Sequence, residues 1–261
     1  MPEFSTSYVL QEVDPKWLTQ AVKPKQFLHI DQAECILCEG CVDICPWKCI
    51  HMLSNDAIDE AVNADQPGDD PQDKKYAGER TKLVIGDRNT IREFCTLNRG
   101  TVQDAGVTTI GNDNWIMAYC HVAHDCVVGS NTIFANNASI AGHVRVGDYA
   151  ILGGFTAVHQ FCRIGAHSMA SMFSYLTKDV PAYVMVSGRP AEPRDINAEG
   201  LKRRNFTADQ IRNIREAYRV VYRQELKLDE AIAQLTQLVA EQPEIKPFVD
   251  SLRDGSRGLA R

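Results

Sequence analysis

The sequence predicts a mainly β protein, a parallel β-helix built from hexapeptide repeats, with α-helices following it. Three observations carry this. Counting in sixes from Ile110 meets Ile116, Val122, Val128, Phe134, Ile140, Val146, Leu152, Val158, Ile164, Ala170 and Leu176, an unbroken apolar ladder. A six-residue period belongs to neither an α-helix nor an ordinary strand, but it is the signature of a solenoid whose units are a short strand plus a turn. Glycine follows the ladder residue at Gly111, Gly129, Gly147, Gly153 and Gly165, where a tight corner favours a residue without a Cβ. Beyond about Pro190 the period changes to that of helices.

The first element in chain order is residues 1–66. They hold four Lys/Arg against eleven Asp/Glu, while the remaining 195 residues carry 24 against 23. At their centre is Cys35-x-x-Cys38-x-x-Cys41-x-x-x-Cys45-Pro46, the spacing of the bacterial ferredoxin run for an iron–sulfur cluster. Nine cysteines in all, an odd number, with Cys35, Cys38, Cys41, Cys45 and Cys49 clustered, favour reduced thiols and a metal motif over a disulfide framework. Residues 30–53 resemble the first half of a two-cluster ferredoxin, so a 4Fe-4S cluster on Cys35, Cys38, Cys41 and Cys45 is a candidate cofactor. The second run of cysteines is missing, which leaves a ferredoxin-like fragment.

Residues 67–74 read as a turn-rich linker or junction, with Pro67-Gly68-Asp69-Asp70-Pro71. Residues 75–189 carry the repeats. The six-residue phase runs upstream through Ile85, Ile91 and Leu97, then slips by one before Ile110. That slip marks a loop bulging from the solenoid around Arg99 to Thr109. Residues 190–261 form the helical part. Thr207 with Gln210 makes a capping box, and Ile211, Ile214, Tyr218, Val221 and Tyr222 fall on one helical face. A second helix carries Ile232, Leu235, Leu238 and Val239, and a short third one carries Val249 and Leu252. Helices at the end of a solenoid cover its last coil. Between Arg189 and Arg223 there are nine basic and five acidic residues on a chain of net charge −6, a patch suited to an acidic partner or a phosphate. No stretch approaches a membrane span, and Met1 to Trp17 has neither a basic start nor an apolar run, so a cytoplasmic protein without a nucleic-acid partner is expected.

Within the repeats lie His121, His124, His143 and His159. The segments Asp73-x-Lys75-Tyr76-x-Gly78-Glu79, Arg99-Gly100-Thr101-Val102-Gln103, His121-Val-Ala-His124-Asp125, Ala141-Gly142-His143-Val144, Val158-His159-Gln160-Phe161, Asp179-Val180-Pro181 and Gly200-Leu201-Lys202-Arg203-Arg204 resemble the UDP-N-acetylglucosamine acyltransferase family of lipid A biosynthesis. The resemblance spans about residues 68–261. It implies a left-handed parallel β-helix, a homotrimer with active sites between neighbouring subunits, and transfer of an (R)-3-hydroxyacyl group from acyl carrier protein to the 3-hydroxyl of UDP-N-acetylglucosamine. No cofactor is implied for acyl transfer, because a thioester is already activated.

The same resemblance implies His124 as general base, in the range where a histidine can take a hydroxyl proton. Asp125 would orient the imidazole, and the Gly142 amide would serve the oxyanion. Asp73, Lys75, His121, His143, His159 and Gln160 would line the sugar and acyl cleft, and Asn197, Glu199, Arg203 and Arg204 would meet uridine and phosphates from a neighbouring subunit. Met172 stands where family members with a shorter acyl ruler carry methionine, which points to a ten-carbon chain. Two departures stand out: Asn98 where the family usually has histidine, and a bulky Ala170–Tyr175 stretch where it is usually glycine-rich. Residues 1–66 also occupy the place of three to four coils, which suggests a chimera. The competing expectations are therefore an iron–sulfur electron-transfer module on a trimeric β-helix scaffold, and an inactive structural chimera.

Overall fold

Each ladder residue of the repeat closes a strand of only two to four residues, and these strands stack into three parallel sheets. The computed structural model describes residues 69–253, 255 and 257–260. Cys35, Cys38, Cys41 and Cys45, and the ferredoxin-like fragment around them, lie outside the described residues. The strands are β1 (Lys82–Ile85), β2 (Thr90–Ile91), β3 (Thr96–Leu97), β4 (Val107–Ile110), β5 (Trp115–Ile116), β6 (His121–Val122), β7 (Val127–Val128), β8 (Ile133–Phe134) and β9 (Ser139–Ile140). They continue as β10 (Arg145–Val146), β11 (Ile151–Leu152), β12 (Ala157–Val158), β13 (Arg163–Ile164), β14 (Met169–Ala170), β15 (Tyr175–Leu176), β16 (Val184–Gly188) and β17 (Ala191–Ile196). The sheet orders are β1-β4-β7-β10-β13, β2-β5-β8-β11-β14-β16-β17 and β3-β6-β9-β12-β15, so through β15 every third strand lies on the same face. All pairings are parallel except the β16–β17 hairpin.

Register fixes the coil. Ile110 pairs with Val128 and Val128 with Val146, eighteen residues apart, whereas Ile85 pairs with Ile110, twenty-five apart. The surplus is the expected loop, inserted between β3 and β4. It ends earlier than the phase slip alone suggested, because Val107 already pairs with Lys82.

The ladder side chains fill the interior: Ile116, Val122, Phe134, Ile140 and Leu152 are fully buried. The corners are a surprise. The residue three beyond each ladder position from Ile110 to Ala170 is never a glycine, yet it adopts the left-handed conformation: Asp113, Tyr119, Asp125, Asn131, Asn137, His143, Tyr149, Phe155, Phe161, His167 and Phe173 have φ of 57–66°. Such a residue costs on the order of 1 kcal/mol, offset here by a hydrogen bond to the coil below, as in His143 N to His124 O at 3.1 Å and Tyr149 N to Ser130 O at 2.9 Å. The glycines after the ladder have ordinary φ and are needed for a different reason. A Cβ on Gly129 would sit 2.9 Å from Asp148 N, and one on Gly165 2.2 Å from Ala182 N. The next coil passes too close for a side chain.

At the upper end the β16–β17 hairpin leads into α1 (Ala198–Arg203), α2 (Ala208–Arg223), α3 (Leu228–Leu238), a 3-10 turn at Pro243–Ile245 and α4 (Lys246–Arg253). The capping box forms, with Thr207 N donating to Gln210 Oε1 at 2.9 Å and Gln210 N to Thr207 Oγ1 at 3.2 Å. Ile211, Ile214, Tyr218 and Val221 of α2 join Leu235, Val249 and Leu252 in a core continuous with that of the solenoid. Val239 is the C-cap of α3 and not an interior helical residue. At the lower end of the described residues Ile85 and Ile91 are 39% and 37% exposed.

Candidate active site

Four of the predicted residues converge at one corner. His124 and Asp125 follow β6, and one coil above them Gly142 and His143 follow β9. Neighbouring residues on a strand point to opposite faces, but the left-handed turn at Asp125, φ 57°, swings its carboxylate back. Asp125 Oδ2 lies 2.9 Å from His124 Nδ1. The carboxylate is buried and accepts from Thr101 N–H at 2.9 Å and Thr101 O–H at 2.6 Å. With Nδ1–H given to a carboxylate, the lone pair of His124 resides on Nε2.

Gly142 lies directly against that imidazole. A Cβ there would be 2.6 Å from His124 Cε1 and 2.7 Å from Nε2. His143 meets the His124 ring edge-on at 5.1 Å, stacks on Phe161 at 4.5 Å and faces Asp104 through Nδ1 at 2.8 Å. Both histidines thus have a carboxylate on Nδ1, one from the corner and one from the loop between β3 and β4.

Comparison with known proteins relates the chain to a family. A model described as UDP-N-acetylglucosamine O-acyltransferase, domain 2, matches residues 179–260, and one for the bacterial transferase hexapeptide (six repeats) matches residues 108–142. The acyl-(acyl carrier protein)–UDP-N-acetylglucosamine O-acyltransferase of Thiobacillus denitrificans is 58% identical over 194 residues, covering 74% of this chain and 75% of that one. The chain belongs to the UDP-N-acetylglucosamine O-acyltransferase family. Solved acyltransferases of this family from Moraxella catarrhalis and Acinetobacter baumannii share 52% and 47% identity, each with a TM-score of 0.73 over 74% of this chain and 76% of theirs. The shared architecture is the left-handed β-helix with helices at its C-terminal end.

The remaining positions implied by the resemblance lie elsewhere on the solenoid and its helical end. His121, outward on β6, holds Thr96 Oγ1 at 2.6 Å through Nδ1; burial lowers its pKa, against the nearby Asp69, which raises it. His159 Nδ1 lies 2.9 Å from Arg257 Nη2 and 3.2 Å from the Gln160 carbonyl. Gln160 stacks one coil above Gly142, since Phe161 N donates to Gly142 O at 3.1 Å. Asp73 caps a local turn by accepting from Lys75 N at 2.9 Å. Their segment is tied to the solenoid by Asp69 N to Leu97 O at 3.0 Å and by the Arg99–Asp70 ion pair. Asn98 is fully buried and donates to Asp70 O at 3.0 Å. The departure from histidine thus falls at a position that holds this segment in place.

Met172 is exposed at the corner between β14 and β15, beside the Phe155–Phe173 stack. Asn197 is buried as the N-cap of α1, accepting from Gly200 N at 3.1 Å and donating to His167 O at 3.0 Å. Glu199 is exposed and paired with Lys202 at 2.6 Å. Arg203 is exposed, while Arg204 lies over the Tyr149 ring at 4.6 Å. The basic surface of α2 is partly neutralised, with Arg212 on Asp209 and Arg219 on Glu216 at 2.7 and 2.6 Å.

Sequence reasoning did not single out Thr101, Asp104, Phe161 or Arg257. Thr101 sat within a quoted motif, and Phe161 shares the corner phase with His143 eighteen residues earlier. Asp104 and Arg257 carry no periodic signal, because loop and tail geometry places them.

One group of metal-ligating type occurs among the described residues, His124, Asp125 and His143, with ligand atoms within 4.8 Å of one another. Asp125 is already committed to Thr101 and His124. A metal would have to break that network, so the set fits a hydrogen-bonded acid–base site better than a metal centre. No helix among the described residues is long and apolar enough to cross a membrane.

Proposed function

We propose that the chain transfers an (R)-3-hydroxyacyl group from acyl carrier protein to the 3-hydroxyl of UDP-N-acetylglucosamine, the first step of lipid A biosynthesis, with His124 as base. The observation that carries this reading is the buried Thr101–Asp125–His124 chain, which fixes Nδ1 and leaves Nε2 as acceptor beside Gly142. His124 Nε2 takes the hydroxyl proton as the sugar oxygen attacks the thioester carbonyl. The carbonyl becomes a tetrahedral oxyanion, and its collapse expels the carrier thiolate, which receives the proton from His124. The absent side chain at Gly142 lets the oxyanion approach its amide, and among the described residues no backbone carbonyl accepts from that N–H.

His121, His143, His159, Gln160, Asp73 and Lys75 line the cleft in this reading. Asn197, Glu199, Arg203 and Arg204 contact the nucleotide of a neighbouring subunit, and Met172 ends the acyl groove. The histidine corner stands on the outer face of the solenoid, apart from the groove among the helices that is lined by Arg194, Tyr218 and Tyr222. An open catalytic corner fits a cleft completed by a second copy, which supports a homotrimer. Free thiols at Cys95, Cys120, Cys126 and Cys162 fit a cytoplasmic location.

Incubating the purified chain with UDP-N-acetylglucosamine and (R)-3-hydroxyacyl carrier protein yields a 3-O-acylated sugar nucleotide by mass spectrometry; no product under any donor length sinks the reading. An iron–sulfur cluster on Cys35, Cys38, Cys41 and Cys45 is a separate proposal, supported by their spacing. Iron and acid-labile sulfide analysis of anaerobically purified protein tests it.

A further inference from the structure

The C-terminal tail folds back onto the solenoid and delivers an arginine to one of the cleft histidines. Asp179 anchors it. This buried carboxylate accepts from Arg163 N at 2.7 Å and from Arg257 N at 3.0 Å, while its backbone exchanges bonds with the tail, Asp179 N to Gly258 O and Ala260 N to Asp179 O, both 2.9 Å. Gly258 has φ 73°, a conformation that favours glycine, and Ala260 is buried. The result is a fixed platform from which Arg257 Nη2 reaches His159 Nδ1 at 2.9 Å, with its guanidinium also facing Cys162.

A guanidinium only donates. Facing it at 2.9 Å, His159 Nδ1 must present its lone pair, so the 3.2 Å approach to the Gln160 carbonyl is a contact between two acceptors and not a hydrogen bond. The ring proton is therefore on Nε2, opposite to the arrangement at His124 and His143, whose Nδ1 atoms face carboxylates. We propose that Arg257 is a positioning residue for acyl transfer: it locks His159 in the Nε2–H form, so that this histidine acts as a fixed hydrogen-bond donor in the cleft. The role of His159 in the cleft rests on the acyl-transfer reading above; the lock itself does not.

The test uses the full chain labelled with 15N-histidine, in the wild type, Arg257→Ala and Arg257→Lys, with the His159 signals assigned by their loss in His159→Gln. The wild type shows a protonated Nε2 and an unprotonated Nδ1 at His159. Arg257→Ala converts this to averaged tautomers and lowers kcat/KM for the sugar nucleotide about tenfold, the effect of one well-placed hydrogen bond. Arg257→Lys restores most of both, and adding Arg257→Ala to His159→Gln costs nothing further. An unchanged His159 tautomer in Arg257→Ala overturns the proposal, as does a full additional loss in the His159→Gln background. A wild-type chain with the expected tautomer but no acyl transfer would instead remove the functional reading and leave the lock standing.

Discussion

Replacing Gly142 by alanine perturbs the catalytic corner through a single methyl group. The position has ordinary φ, so the backbone accepts alanine, but the new Cβ would sit 2.6 Å from His124 Cε1 and 2.7 Å from Nε2. Carbon atoms pack at about 3.5–4.0 Å, so the imidazole must retreat by roughly 1 Å. It cannot do so while keeping its 2.9 Å bond to Asp125, because that carboxylate is buried and pinned by Thr101. A displacement of about 1 Å at a reacting group costs on the order of 100-fold in rate, and the methyl also crowds the oxyanion approach. Gly142→Ala should therefore reduce kcat in the acyl-transfer assay by about 100-fold. The thermal midpoint should move little, because the ring lies on the outer corner and not in the ladder core. A folded variant within a few-fold of the wild-type rate would refute the placement of His124 over Gly142 as the reacting geometry.

Other perturbations test other parts of the account. Met172→Gly should move donor preference from ten toward fourteen carbons, by on the order of 100-fold in relative kcat/KM if all four extra methylenes become buried at about 0.8 kcal/mol each; an unchanged preference places the ruler elsewhere. His167, stacked between Tyr149 and Tyr183, has its pKa lowered by burial and then by Arg204. The unfolded chain therefore binds the proton first, and the contribution is intact above about pH 6.5 and is lost on acidification below it. Denaturant titrations at pH 7.5 and 5.5 should show a stability drop that shrinks in His167→Phe, and an identical drop in that variant contradicts the assignment. Among the described cysteines, Cys95 has its pKa lowered to about 7 by its hydrogen bond with Cys120, while burial raises Cys126 to about 12 and Cys162 to about 11. Iodoacetamide at neutral pH should then label Cys95 first of these four, as read by peptide mapping; equal labelling of Cys126 would count against the buried ladder.

The ladder made the solenoid legible because burial at every sixth position leaves a periodic trace, and Val122, Phe134 and Leu152 are all fully buried. The capping box at Thr207 was equally readable, since its two hydrogen bonds are local in sequence. What the sequence hid was the chemistry of the corners. The left-handed residues are Asp125, His143 and Phe161 in place of glycines, a conformation supplied by hydrogen bonds between coils that no single repeat encodes. The turn at Asp125 resolved the one geometric obstacle to pairing it with His124. Thr101 and Asp104 reach the site because a loop of irregular length folds over it, and Arg257 because the tail docks on Asp179, ninety-eight residues from His159 in sequence. Such long-range placements leave no pattern. Of the basic charges of α2, Arg212 and Arg219 each carry an acidic partner a turn away, a local pairing that the count of charges alone did not show.

The central claim is that His124, aligned by Asp125, removes the proton from the sugar hydroxyl. Single-turnover acyl transfer by the wild type and by His124→Ala, with assembly checked by light scattering, tests it most directly. If His124 is the base, the variant folds and is slower by about two to four orders of magnitude. A folded His124→Ala protein that transfers the acyl group at close to the wild-type rate would contradict that claim.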